Sequence, residues 1–116
     1  MTITIYHNPK CGTSRNVLAL LKEKGVEPRI VEYLETPLGK EELKALLGKM
    51  GGAVRDVLRQ KGTPYDELNL SDASLSDDAL IDFIVAHPIL LNRPIVEKDH
   101  VAKLCRPSET VLELID

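Results

Sequence analysis

The residue with the clearest chemical potential is Cys11, which stands between a strand-like stretch and a helix-like one. Residues 2–6 alternate β-branched and aromatic side chains, a pattern typical of a strand, and Asn8-Pro9 ends that pattern as a turn. Apolar residues then recur with helical spacing, which predicts an amphipathic helix over residues 12–24, closed by Gly25. The sequence therefore places Cys11 at or just before the N-terminus of a helix.

A thiol at that position is suited to nucleophilic chemistry on an anion. The free N–H groups and the positive end of the helix dipole stabilise a thiolate, and they also offer donors to an incoming oxyanion. His7, Lys10 and Arg15 add local positive charge. The alternative is a small packed thiol without chemistry, which the polar and basic neighbours disfavour.

The spacing around Cys11 excludes two common kinds of cysteine site. A Cys-x-x-Cys redox pair needs a cysteine at position 14, which is Ser14, and a phosphatase-type loop needs an arginine at position 17, which is Val17. The thiol is therefore expected to act alone. The hydroxyls of Ser14 and Thr13 are either donors to Cys11 or its ligand, or caps of the first helical turn.

Other polar residues are candidates for supporting roles. His7 either lowers the pKa of Cys11, as a cation or a hydrogen-bond partner, or only packs at the strand end. Asn8 either fixes the turn through its own backbone or contacts the thiolate. Cys105 is expected to be a packed, inert thiol, and the alternative, a resolving cysteine, lacks a local motif. The scattered histidines and cysteines predict no metal site.

Length and composition favour one small globular domain. The chain has 116 residues, two cysteines and a net charge of -3. A chain of this length can bury a single hydrophobic core without disulfide bonds or metal ions. Its net negative charge gives no general basic surface for nucleic acid. No apolar run approaches the roughly 20 residues that a membrane span requires. The widely spaced cysteines and the lack of a leader pattern predict a reducing, cytoplasmic location.

The rest of the chain alternates between helical and strand-like patterns. Residues 28–34 predict a second strand, which a short crossover would set parallel to the first. Arg55 and Arg59, four residues apart, should share one face of a short helix, and Ser76 and Ser108 are expected to cap helices. The predicted elements are helices at about 40–49, 54–58 and 76–87, a strand at 89–96, its hairpin partner at 101–105, and a last helix from 108.

Four stretches together resemble the glutaredoxin-coupled, single-cysteine arsenate reductases. They are residues 6–15, 33–37, 87–96 and 104–108, and the likeness covers nearly the whole chain. It implies an α/β, thioredoxin-like fold with a mixed sheet, built as strand-helix-strand and then hairpin-helix. It also implies one domain over residues 1–116, with an all-helical insertion at approximately 38–88.

The resemblance implies an oxyanion site made of arginines. The family binds its oxyanion with basic side chains whose motif positions match Arg59, Arg93 and Arg106 in this sequence. Guanidinium groups stay charged and can bind two oxygens of a tetrahedral anion at once. The fold further implies a cis bond before Pro94, which would turn Arg93 toward Cys11.

The activity implied by the resemblance is reduction of arsenate to arsenite. The Cys11 thiolate would attack the arsenic, and glutathione and a glutaredoxin would supply the electrons, since position 14 holds serine. Two alternatives on the same fold are a redox regulator that binds RNA polymerase, whose characteristic Cys-x-x-Cys is absent here, and a general monothiol glutathione-dependent reductase. One departure from plasmid-type members is the shorter C-terminus, at Asp116, which is expected to affect the site or partner docking.

Overall fold

A computed structural model describes residues 2–115, which form a four-stranded mixed sheet with helices on both faces. The sheet order is β2-β1-β3-β4, with β1 parallel to β2 and antiparallel to β3. None of the helices in residues 2–115 is long and apolar enough to cross a membrane. The elements are β1 (Ile3–His7), α1 (Gly12–Glu23), β2 (Arg29–Glu32), α2 (Lys40–Met50), α3 (Asp77–Ala86), β3 (Ile95–Lys98), β4 (Val101–Leu104) and α4 (Leu112–Ile115), with 3₁₀ turns at Val54–Val57, Pro88–Leu90 and Ser108–Val111.

The sheet separates two hydrophobic cores. The α1-side core holds Ile3 and Ile5 of β1, whereas the α3-side core packs against Tyr6, on the other face of the same strand. This alternation is what a central strand covered on both faces requires. The α1-side core consists of Ile3, Ile5, Val17, Leu21, Val96, Cys105, Val111 and Leu114, and the α3-side core includes Tyr33, Leu43, Leu46, Leu70, Leu80, Ile84, Leu90, Leu91 and Ile95.

The strand expected over residues 89–96 is wrong over residues 89–94. Pro88–Leu90 forms a 3₁₀ turn, Leu91 makes an isolated bridge with Leu58, and β3 begins only at Ile95. Pro88 and Pro94 explain the break, because proline has no N–H to donate to a sheet ladder. Leu90 and Leu91, between the two prolines, are buried all the same, since they enter the α3-side core.

The expectation that Arg55 and Arg59 share a helix face is also wrong. The helical turn ends at Val57, and Leu58 is extended and paired with the segment before β3. Arg55 instead donates to the carbonyls of Leu70 and Asp72. Arg59 therefore lies outside the helical turn and shares no helix face with Arg55.

The two predicted serine caps have different outcomes. Ser76 caps α3, because its Oγ accepts the N–H of Ala79 at 3.1 Å. Ser108 is not a cap, since Pro107 occupies that position and Ser108 is already the first residue of the 3₁₀ turn. A serine caps only from an extended backbone, where its oxygen can reach the N–H groups ahead of it.

Candidate active site

The loop between β1 and α1 holds Cys11 at the start of the helix, as predicted. Cys11 is the N-cap residue, and its N–H donates to the carbonyl of Asn8 at 3.0 Å. The Asn8 side chain accepts the N–H of Lys10 at 3.0 Å, so Asn8 fixes the turn, one of its two expected roles. The loop is therefore closed by its own hydrogen bonds, with the Cys11 thiol partly exposed.

Ser14 lies behind the loop and joins it to β1. Its buried hydroxyl is 2.6 Å from Nδ1 of His7 and accepts the N–H of Asn8 at 3.1 Å. Because that oxygen accepts from Asn8, its own proton is available to a neutral His7. The Ser14 hydroxyl thus takes neither of its two expected roles, and it is the backbone N–H of Ser14 that faces Cys11.

His7 is a neutral hydrogen-bond partner of Ser14. Burial lowers its pKa, Glu32 opposes this effect, and the positive charges of Arg15 and Lys22 lower the pKa further. A histidine with a lowered pKa is uncharged at neutral pH. Its proposed role as a cation beside the thiolate therefore finds no support in the structure.

The thiol of Cys11 ionises more easily than an ordinary cysteine. Burial raises its pKa, but the N–H of Ser14, the guanidinium groups of Arg106 and Arg93 and the N–H of Thr13 together lower it below the usual value. Backbone donors at a helix N-terminus and nearby cations are the two recognised means of stabilising a thiolate. The site can therefore present a nucleophile at neutral pH.

Arg106 connects the thiol with the segment that precedes β3. Its Nη1 lies 3.7 Å from Sγ of Cys11 and donates to the carbonyl of Arg93 at 2.9 Å. The peptide bond between Arg106 and Pro107 is cis, a feature that the sequence patterns do not predict. One guanidinium thus contacts both the nucleophile and the backbone of a second arginine.

Arg93 offers free donors at the centre of the site. The bond between Arg93 and Pro94 is cis, as the resemblance implied. Nε and Nη1 of Arg93 are buried and make no hydrogen bond within residues 2–115. Buried polar groups are usually paired, so two unpaired charged donors next to a thiolate are suited to the oxygens of an anion.

Arg59 completes the group of three arginines. Its Nη1 is 3.4 Å from Oδ1 of Asn92, and its Nε donates to the carbonyl of Lys61 at 3.2 Å. Burial lowers its pKa, and the like charges of Arg93 and Arg106 lower it further. All three predicted arginines and Cys11 therefore lie in one site.

Tyr33 and Asn92, to which the sequence patterns assign no role, also belong to this site. Tyr33 is 1% exposed, and its hydroxyl donates to the carbonyl of Leu91 at 3.0 Å. Burial raises the pKa of Tyr33 to about 12 against the opposing charge of Arg93. Tyr33 follows β2, whose carboxyl end meets that of β1 because the strands are parallel, and this adjacency was the available signal. Asn92 belongs to the site because its Oδ1 lies 3.4 Å from Nη1 of Arg59.

Cys105 is packed away from solvent, as expected. It is fully buried in the α1-side core, and burial raises its pKa to about 12. A thiol in this state is a poor nucleophile.

Among residues 2–115 no three or more His, Cys, Asp or Glu side chains are grouped to hold a metal ion.

Comparison with known proteins gives consistent matches along the chain. The ArsC family model matches residues 6–114. The arsenate reductase of Rhizobium meliloti (strain 1021) is 52% identical over 115 residues, covering 99% of this chain and 82% of that protein. The arsenate reductase of Escherichia coli (strain K12) is 54% identical over 113 residues, covering 97% and 80%. The solved structure of an arsenate reductase from Vibrio cholerae superposes with a TM-score of 0.93 at 49% identity and covers 97% of both chains.

Proposed function

We propose that the chain, which belongs to the ArsC family, is an arsenate reductase acting through a covalent adduct on Cys11. The observation that carries the proposal is the convergence of Arg59, Arg93 and Arg106 around a thiol of lowered pKa. Arsenate is a tetrahedral, roughly dianionic oxyanion, so three guanidinium groups match it in charge. The unpaired Nε and Nη1 of Arg93 offer it charged donors.

The first chemical step is attack of the Cys11 thiolate on arsenic. A sulfur–arsenic bond forms, one arsenate oxygen leaves as water after protonation, and arsenic remains As(V). The arginines bind the oxyanion and the loop holds the thiolate, so the reacting atoms are already oriented. This orientation supplies most of the rate enhancement. His7 and Ser14 hold the loop in which the thiolate sits.

The second step requires an external thiol. Glutathione attacks the adduct at sulfur, a disulfide forms between glutathione and Cys11, and the electron pair of the sulfur–arsenic bond stays on arsenic, which leaves as As(III). A glutaredoxin then removes the glutathione by thiol–disulfide exchange and restores Cys11. Ser14 stands where a resolving cysteine would be, and Cys105 is buried, which supports an external donor and a reducing, cytoplasmic location.

The test is NADPH consumption in an assay with arsenate, glutathione, glutathione reductase and a glutaredoxin. We expect turnover that requires both arsenate and glutaredoxin and disappears in Cys11→Ser. Arg93→Ala should lower kcat/KM for arsenate by about 10²–10³-fold, the usual cost of removing a donor to a transition-state oxyanion. Arg93→Lys is the matched variant, because it keeps the charge and loses the fork, and it should retain part of the activity.

A disulfide substrate separates arsenate reduction from the alternative of a general monothiol reductase. The same variants are assayed on a glutathione mixed disulfide of a small thiol. If arsenate gives no turnover while the mixed disulfide is reduced equally by wild type and Arg93→Ala, the oxyanion proposal is wrong and the monothiol reductase is favoured.

A further inference from the structure

Two segments far apart in the chain are joined next to the site. The N–H of Asn92 donates to the carbonyl of Val57 at 2.7 Å, and the N–H of Arg59 donates to the carbonyl of Leu90 at 2.8 Å. This narrow antiparallel bridge sets Arg59 beside the turn that carries Arg93. Nε of Arg59 also donates to the carbonyl of Lys61 at 3.2 Å, which leaves the far end of the guanidinium to be held by another contact.

The side chain of Asn92 supplies the missing restraint. Its Oδ1 accepts from the backbone N–H of Arg93 at 3.0 Å and lies 3.4 Å from Nη1 of Arg59. One oxygen thus contacts both arginines, the first through its backbone and the second through its guanidinium. Asn92 is half-buried, so water competes only in part for these contacts.

The charges around Arg59 act against its position in the site. Burial lowers the pKa of Arg59 most, and repulsion from Arg93 and Arg106 lowers it further. A carboxylate would hold Arg59 more strongly, but it would cancel charge that an oxyanion needs. An amide oxygen attracts the guanidinium through a dipole and leaves the net charge of the site unchanged.

We propose that Asn92 is a positioning residue that orients Arg59 and Arg93 toward the oxyanion without neutralising either of them. This inference rests on the proposed function, since it concerns the same site. It predicts that asparagine is preferred here to both a shorter side chain and an isosteric acid. Asn92→Ala removes both contacts, whereas Asn92→Asp keeps the acceptor and adds a negative charge.

The test measures oxyanion binding without turnover. Arsenate, in the absence of glutathione and glutaredoxin, is titrated against the rate at which iodoacetamide alkylates Cys11, followed by mass spectrometry. Asn92→Ala and Asn92→Asp should each raise the arsenate concentration for half-maximal protection, by about 3- to 10-fold for the alanine variant. Asn69→Asp adds the same charge at an exposed position and serves as the matched control, with no shift expected.

A double-mutant cycle with Arg59 separates positioning from a general structural effect. If Asn92 acts largely through Arg59, Asn92→Ala should weaken protection less in an Arg59→Ala background than in the wild type. In the coupled assay, Asn92→Asp should raise KM for arsenate more than it lowers kcat. Melting temperatures of the Asn92 variants identify any effect that comes from unfolding alone.

Each of three results would overturn the inference. The first is that Asn92→Ala weakens arsenate protection equally in the wild-type and Arg59→Ala backgrounds. The second is that Asn92→Asp keeps the wild-type affinity for arsenate. The third is that arsenate does not protect Cys11 of the wild type. Failure of the proposed function has a different signature, in which arsenate protects Cys11 but the wild type shows no arsenate-dependent NADPH consumption. In that case the effect of Asn92 on binding is still measured.

Discussion

At the scale of single residues, the reactivity of Cys11 results from opposing effects on its ionisation. Burial disfavours the thiolate, while two backbone N–H groups and two guanidinium groups favour it, and the second set prevails. Of these donors, Arg106 reaches the sulfur from the far end of the chain, 95 residues away in sequence. The ionisation of Cys11 should therefore depend on the folded structure and not only on the helix N-terminus.

The first prediction concerns the pH dependence of Cys11 alkylation. A lowered pKa means that the thiolate persists below the usual titration range and is lost only as the pH falls through the lowered value. Arg106→Ala should move the iodoacetamide profile to higher pH, so that the rate decreases at pH 7 and recovers at alkaline pH. The measurement is the alkylation rate constant of Cys11 from pH 4 to pH 10.

Arg15→Ala is the control for this prediction. Arg15 carries the same charge near the loop, but its Nη1 donates to the carbonyl of Pro9 and it is not among the groups that lower the pKa of Cys11. Its profile should stay close to that of the wild type. Equal displacement in both variants would mean that Arg106 acts only through general surface charge.

At the scale of secondary-structure elements, the site depends on the junction between β2 and the segment before β3. Tyr33, directly after β2, is anchored in the α3-side core and donates to the carbonyl of Leu91. Leu91 in turn pairs with Leu58, which precedes Arg59. A single hydroxyl therefore supports the backbone from which Arg59 and Arg93 extend.

The second prediction is that Tyr33→Phe destabilises the fold. The carbonyl of Leu91 would lose its donor inside the core, and an unsatisfied buried polar group costs about 1–3 kcal/mol. Urea denaturation measures this loss as a decrease in the free energy of unfolding. Tyr65→Phe removes the same group at a half-buried position and should cost less. Equal losses in the two variants would argue against a special role for the Tyr33 hydroxyl.

At the scale of the whole molecule, one sheet supports two cores. β1 and β3 contribute to both, since Ile5 and Val96 face α1 while Tyr6 and Ile95 face the other side. Loss of either core should remove the support of the other. The single domain expected from the sequence therefore predicts one cooperative unfolding transition.

The third prediction uses the position of the tyrosines as a probe. The chain has no tryptophan, and its three tyrosines all belong to the α3-side core or pack against it. Leu21→Ala, in the α1-side core, should cost about 2–5 kcal/mol and should shift the urea transition seen by tyrosine fluorescence. Leu80→Ala is the counterpart in the α3-side core. An unchanged tyrosine transition in Leu21→Ala would show that the two faces unfold independently.

Features that depend on neighbouring residues could be predicted from the sequence. The turn at Asn8, the helix that starts after Cys11 and the cap at Ser76 follow from patterns within about four positions, the range over which turns and caps act. The resemblance, which spans nearly the whole chain, added the family and pointed to Arg59, Arg93 and Arg106. The assignment of roles to these arginines stays a prediction until the variants are measured.

How these residues meet depends on the packing of the folded chain and could not be predicted from local patterns. Arg59 lies outside its expected helix because Leu58 pairs with Leu91. The hydroxyl of Ser14 contacts His7 and not Cys11. Contacts of this kind join segments that are distant in sequence, and the side-chain partners depend on how the layers pack. Periodicity cannot encode such partners, because it records which face of an element is buried and not what that face will touch.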